Sequence, residues 1–498
     1  MPPVNRRAPA AILITGWVLL TAAWVAGNPP FEAPDEADHY IRTVGVANGQ
    51  VLGQPAPDEQ FGATPRQIAA TQQVTRLVDI PAGFDPPNCP RDANEPVKCV
   101  QPDKPPETKR LTVVGTYQPL PYLAPAAVLD AGDNPRQALR WGRVASALSG
   151  ALFLALAAAL LFLPGRVEPL LGLAVAVTPM VLFTSASLNP SGLEITSGIA
   201  FLAGLLRLTR ADPPPPWAWV ATGLAGGVLA ASRSPGPVWV LLGLLLALAL
   251  MGPRPAARRV GGGGWFVWAA GALLAGGIVA NRIWEAAHGP ETPVATFALR
   301  LGLDIGLDQV WAAAPHLVGR FGYLEYGLPL WIPLTWAAVL GVLGVLAWRT
   351  SAGRDRWVLG GVAVAAVVLP YLLWVLFTRD TGFGLQGRHV IVIVAAVPLL
   401  AGELLARRGR RLPAVGAAAM TAVLGLIHFI AFYLNGRRYA VGADGPLGFP
   451  GDAAWSPPLG WWPILILAAL GALAVAAVGL LELRGSRVAG SPARHSPS

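Results

Sequence analysis

Apolar runs of near-membrane length recur along nearly the whole chain, and no other feature restricts its folding so severely. Runs such as 151–163, 238–251, 358–377 and 463–481 approach or reach the ~20 residues that cross a bilayer as a helix. Of the 498 residues 54% are hydrophobic and 13% charged. Soluble proteins carry about a quarter charged residues, so most of this surface is expected to face lipid. The fold class that follows is an all-α polytopic membrane protein.

The formal charge of +9 raises the question of nucleic acid, and the placement of the basic residues answers it. They sit in short loops between apolar runs. Arg6 and Arg7, then Arg254, Arg258 and Arg259, then Arg349, Arg354 and Arg356, then Arg407, Arg408, Arg410 and Arg411 mark alternate loops, as cytoplasmic ends require. No basic face is left over for nucleic acid, which is excluded as a partner.

Walking the chain by this rule gives about twelve transmembrane helices: 9–27, 137–163, 169–187, 191–209, 217–232, 235–251, 265–284, 330–348, 358–377, 389–405, 412–434 and 460–483. Both termini then lie in the cytoplasm. The chain divides into a first helix (1–27), an extracytoplasmic loop (28–136), six helices (137–284), a second outside loop (285–329), five helices (330–483) and a disordered tail (484–498). The two segments flanking the Ser232 to Pro237 stretch are short and broken there, so the total could shift by one or two. The first helix also has the features of a secretory signal peptide, and either reading puts the following loop outside.

That loop is acidic and Pro-rich, with possible helices near 35–48 and 64–79, and it is too long for a linker. It holds both cysteines, Cys89 and Cys99, which suits a disulfide in an oxidising compartment; no His or further Cys lies nearby to complete a zinc site.

Its most informative stretch runs from Asn28 to Arg42. With Pro34 as the first residue of a helix, Asp35, Asp38, His39 and Arg42 share one face at i, i+3, i+4 and i+7. One reading is a charged, well-capped helix on the membrane surface. The other is a carboxylate acting as general base, with the remaining three as substrate-binding neighbours. A divalent cation is compatible with these oxygen and imidazole groups but is not required by them.

Further along, Gly382, Gly384 and Gly387 form a formal dinucleotide fingerprint that lacks the strand it needs. With Gln386 and Arg388 at a helix start, the segment suits a phosphate or, alternatively, lipid headgroups. Glu194 lies inside a span, either in a cavity or as the capping-box partner of Ser191. Arg320 and Glu325, among Tyr323 and Tyr326, add charged groups at the same outer surface, where aromatic anchors are also expected.

An acidic pair just after the first span, a long first external loop and about a dozen helices resemble the GT-C superfamily of integral membrane glycosyltransferases. Four motifs, Pro-Asp-Glu-x-x-His-x-x-Arg at 34–42, Asn-Pro-Ser-Gly-x-Glu at 189–194, Gly-Tyr-Leu-Glu-Tyr at 322–326 and Gln-Gly-Arg-His at 386–389, are similar in order to a bacterial membrane family called domain of unknown function 2142, grouped with GT-C. The resemblance implies an inverting transferase that takes a sugar from a polyprenyl-phosphate donor to an envelope glycan or lipid acceptor on the outer face. Asp35 would be the first candidate base, Glu36 the second, and Arg388 the donor-phosphate ligand. His389 departs from the aromatic residue expected there. The rival readings are a transporter or flippase of lipid-linked sugars, which would place its site near the midplane among repeats and broken helices, and a non-catalytic partner in envelope assembly.

Overall fold

The computed structural model describes residues 8–56, 58–81, 86–87, 92–99, 108–290, 299–381, 383–409 and 411–489. Eighteen α-helices are distinguished among them. The first half contains α1 (Ala8–Gly27), α2 (Glu36–Ala47), α3 (Pro65–Val74), α4 (Leu120–Ala126), α5 (Pro135–Leu161), α6 (Glu168–Ala176), α7 (Pro179–Ser185), α8 (Pro190–Leu208) and α9 (Pro216–Ser232). The second contains α10 (Gly236–Met251), α11 (Pro253–Gly261), α12 (Trp265–His288), α13 (Leu299–Ala313), α14 (Trp331–Thr350), α15 (Arg354–Thr381), α16 (Ile391–Arg407), α17 (Ala414–Val441) and α18 (Trp461–Ala489).

Several of these helices begin where local chemistry says they must. Thr64, Asn134, Thr178 and Asn189 each cap a helix whose first residue is proline, and each side chain accepts a first-turn backbone N–H. Proline supplies a fixed φ where an N–H would have no helical partner, and the cap satisfies one that remains.

Every segment read as a span is helical, but the count falls short of twelve. Among the described residues nine helices are long and apolar enough to cross a membrane, or up to eleven if each of two bent pairs counts as one span. The stretch read as one helix over 169–187 is two, α6 and α7, bent by 64° at the break before Pro179. Here Thr178 turns its hydroxyl to Leu317 O and caps a new helix. Helices α9 and α10 have 17 and 16 residues and are separated by Arg233, Ser234 and Pro235. Large apolar side chains such as Leu152, Trp268, Val364 and Leu473 are exposed on the bundle surface. Water would not tolerate so many; lipid does, and the protein is a polytopic membrane protein.

The loop after α1 is not all-helical. Residues expected to continue a helix to 79 leave it at Val74, and β2 (Arg76–Asp79) forms the centre of an antiparallel sheet between β1 (Gln54–Pro55) and β3 (Lys109–Thr112). Its register pairs Leu77 with Gln54 and with Leu111. The second loop adds a two-stranded turn, β4 (Arg320–Phe321) with β5 (Tyr326–Gly327). Among the described residues no cysteine is free, and Cys89, needed for the expected pairing with Cys99, lies outside them. Of the tail expected to be disordered over 484–498, the residues to Ala489 continue helix α18, and the rest lie outside the described residues.

The end of the bundle opposite the first loop is knitted by arginines. Arg210 and Arg407 converge on buried Glu403, Arg259 donates to Arg210 O, Arg354 to Met251 O, and Arg408 pairs with Asp355. The loops read from sequence as one basic side are thus gathered at one end.

Candidate functional site

The connection from α1 to α2 is held rigidly before any site residue appears. Arg143 of α5, 1% exposed, donates to Asn28 O, to Pro29 O and, through a fork, to the Glu36 carboxylate. The same carboxylate accepts the backbone N–H of Phe31 at 3.1 Å and of Leu188 at 3.0 Å. Glu36 is therefore fully buried with its lone pairs taken up by donors, and has no free face for a substrate.

Between these anchors the backbone is left-handed at two non-glycine positions, Phe31 (φ 67) and Asp35 (φ 57). Asp tolerates this region better than most residues, and such conformations persist only where the surroundings over-determine them. The consequence contradicts the expected helix start at Pro34. Helix α2 begins at Glu36, and Asp35 stands outside it as an N-cap without a side-chain cap bond. Its carboxylate turns instead to Arg388, Oδ2 to Nη2 2.9 Å, and stays 41% exposed.

The four residues expected on one helix face thus part company. Asp38 Oδ1 accepts Val113 N at 3.0 Å, stitching α2 to the end of β3. His39 Nδ1 lies 2.9 Å from the Tyr122 hydroxyl. Burial, above all, pushes this imidazole down to about 3, so it is neutral; the charges of Asp35, Arg388 and Arg233 also act on it. Arg42 donates to Val51 O and, at 2.8 Å, to Tyr117 O, with its guanidinium over the Tyr122 and Trp284 rings. His39 and Arg42 are buried, while Asp35 and Asp38 stay partly exposed.

Arg388 sits in a 3₁₀ turn (Gly387–Val390) leading into α16 and is 4% exposed. Its Nη2 serves Asp35, while Nε and Nη1 have no hydrogen-bond partner. Two unmatched donors on a buried cation are costly, and that is the arrangement expected of a site awaiting an anion. Gln386 N donates to His389 Nδ1 at 3.4 Å, so the departure at 389 supports the turn. Gly382 lies outside the described residues.

Glu194 joins this group through a residue that the sequence analysis treated only as part of a break. Asn189, not Ser191, caps α8, its Oδ1 accepting Ser191 N at 2.9 Å, so the capping-box reading of Glu194 fails. Glu194 accepts the Trp239 indole N–H at 2.9 Å and pairs with Arg233 at 3.5 Å. Arg233 also donates to the Ser191 hydroxyl and lies over Tyr117. Asn281 holds the Arg233 carbonyl, and Asn189 holds Pro34 O, one residue before Asp35. Sequence reasoning missed Arg233; the signal that would have found it is a lone arginine between two apolar helices.

Arg320 and Glu325 do not reach this cluster. Arg320 binds Leu324 O and His316 Nε2, behind the Arg388 turn, and Glu325 faces Arg438, which also lies 3.6 Å from Glu32. Among the described residues no three His, Cys, Asp or Glu side chains gather as a metal site.

A second feature adjoins the charged cluster. A cavity of about 450 Å³ runs between α10, α15 and α16, from Trp239 and Val392 beside the site to Arg354 at the opposite end, lined by Leu242, Leu246 and Val362.

The chain is similar, at 14% identity and a TM-score of 0.38, to the crystal structure of ArnT from Cupriavidus metallidurans in the apo state, over 96% of this chain and 78% of that one. No curated protein matches. Residues 18–397 match the family described as "Predicted membrane protein (DUF2142)". That match takes in the Asp35, Glu194 and Arg388 motifs and most of the helices, and the chain belongs to the DUF2142 family of membrane proteins.

Proposed function

We propose that this protein is a membrane glycosyltransferase of GT-C type. It moves a sugar from a polyprenyl-phosphate donor to a glycan or lipid acceptor on the extracytoplasmic face, with Asp35 as base and Arg388 as donor-phosphate ligand. The observation that carries the reading is the Asp35–Arg388 pair: a half-open carboxylate 2.9 Å from a buried guanidinium with two unpartnered donors. The apolar cavity starting at Trp239 supports a lipid-linked donor, since it offers an isoprenoid chain a path into the bilayer from the same site. The acidic first loop and the basic opposite end support the orientation.

In the reaction, Asp35 takes the proton from the acceptor hydroxyl as that oxygen attacks the anomeric carbon. The new C–O bond forms opposite the breaking bond to the donor phosphate, so configuration inverts, and polyprenyl phosphate leaves with its charge held by Arg388. The leaving group is already good; the protein's work is positioning and charge stabilisation.

The test uses purified full-length protein in liposomes with labelled polyprenyl-phosphate sugar. Asp35→Asn keeps the shape and removes the proton acceptor, so turnover should fall by about two to four orders of magnitude with donor binding retained. Arg388→Ala should weaken polyprenyl phosphate binding by about ten- to a hundredfold, from charge-assisted bonds of ~1.5–3 kcal/mol, and Lys should restore it only in part. Full turnover in Asp35→Asn would remove it as base; unchanged lipid affinity in Arg388→Ala would leave that residue a headgroup anchor.

A further inference from the structure

A second cavity lies at the loop-bearing end, between α1, α5 and the 457–464 segment before and at the start of α18. It measures about 580 Å³, within the range of ligand sites, and its floor is apolar: Val25, Val144, Leu459 and Ile464. Arg140 and Trp141 complete its rim.

Arg136, Arg140 and Arg143 follow one another at i, i+4 and i+7 and so share a face of α5. Arg143 is spent on Glu36 and the Asn28 and Pro29 carbonyls. Among the described residues, Arg136 and Arg140 make neither a hydrogen bond nor an ion pair. At the opposite end the arginines without such a partner, Arg254, Arg258, Arg349 and Arg411, are exposed, whereas Arg140 is half-buried in the groove wall. A cation lining a hydrocarbon groove without a protein counter-ion is expensive unless the surroundings supply the anion.

We infer that this groove binds an anionic glycerophospholipid, its phosphate on Arg140 with Arg136 above it, and an acyl chain along Val144, Val25 and Ile464. A free phosphate would leave the apolar floor unused, and a zwitterionic lipid would leave the two cations only partly balanced. Trp141, 47% exposed, sits where an aromatic residue marks the headgroup level. The site stands on its own, independent of the transfer reaction.

The experiment is native mass spectrometry of the full-length protein equilibrated in micelles with equal phosphatidylglycerol and phosphatidylcholine. Wild type should retain one phosphatidylglycerol with about a fivefold preference, the equivalent of the ~1 kcal/mol that one arginine contributes near a membrane surface, here Arg140, which holds the phosphate. Arg140→Gln should bring the preference close to one, and Arg140→Lys should keep most of it. Val144→Trp, which fills the groove, should lower occupancy by both lipids. Arg254→Gln, at the other end of the bundle, serves as the control and should match wild type. An undiminished preference in Arg140→Gln, no preference in wild type, or an equal loss in Arg254→Gln would each overturn the assignment; the Arg140 variants decide it even if Val144→Trp fails to fold.

Discussion

Two adjacent carboxylates have opposite fates at the residue scale. Asp35, at φ 57, is turned out of the helix to the open side, while Glu36 is swallowed by Arg143 and two backbone N–H groups. The difference predicts a reversal between assays. Glu36→Ala strips a buried cation of its counter-charge and leaves two backbone N–H groups without an acceptor, which costs ~3–5 kcal/mol, whereas Asp35→Asn keeps an amide oxygen beside the buried Arg388 guanidinium and should cost less. Apparent melting temperature in detergent checks it: Glu36→Ala should melt well below wild type and Asp35→Asn close to it. Equal melting of the two would mean that the Asn28 and Pro29 carbonyls alone satisfy Arg143. From sequence, the resemblance puts Asp35 before Glu36, and helix periodicity groups Asp35 with Asp38, His39 and Arg42 on one face. The structure separates the two carboxylates by a different device, a backbone turn outside the helix, which periodicity does not reveal.

At the scale of elements, the site depends on how closely two short turns meet. The 3₁₀ turn Ala314–Leu317 packs against the turn carrying Arg388, and a Cβ on Gly387 would lie 2.8 Å from His316 Cβ and 2.9 Å from its carbonyl carbon. Backbone cannot yield as a side-chain tip can. Gly387→Ala should therefore displace Arg388 at a cost of ~1–3 kcal/mol and weaken polyprenyl phosphate binding severalfold or more. At Gly384 the nearest atom is 3.7 Å away, so Gly384→Ala should bind as wild type. Titration of the lipid into both variants makes the comparison, and normal affinity in Gly387→Ala would show that the turn can slide without moving the guanidinium. The glycine run was visible in the sequence as a site for an anion. That Gly387 serves a neighbouring turn, and Arg388 meets Asp35, was not, since both partners come from remote segments.

For the whole molecule, the arginine-knit end and the acidic loop end predict an orientation. A reporter fused after Arg411 should read cytoplasmic and one at Asp92 extracytoplasmic. The reverse at either position would put the Asp35 site on the other side of the membrane and withdraw the extracytoplasmic donor. The membrane spans were legible between residues 9 and 483 because crossing a bilayer is a matter of local length and apolarity, whereas the helix ends were not: Asn189 rather than Ser191 caps α8, and α18 runs on to Ala489. The bend at Pro179 was not read, because a proline near the middle of an apolar run starts a new helix only if neighbours satisfy the freed backbone groups, as Val318 O does for the Met180 N–H. Charge partners escaped for a related reason. Asp35 and Arg388 are 353 residues apart, Glu36 and Arg143 107, Glu194 and Arg233 39. A chain announces in its own letters which segments must leave water, because each segment meets the solvent by itself. Which buried carboxylate meets which arginine is decided only when the helices pack, because the energy of a charge in a low-dielectric interior belongs to the pair and not to either residue.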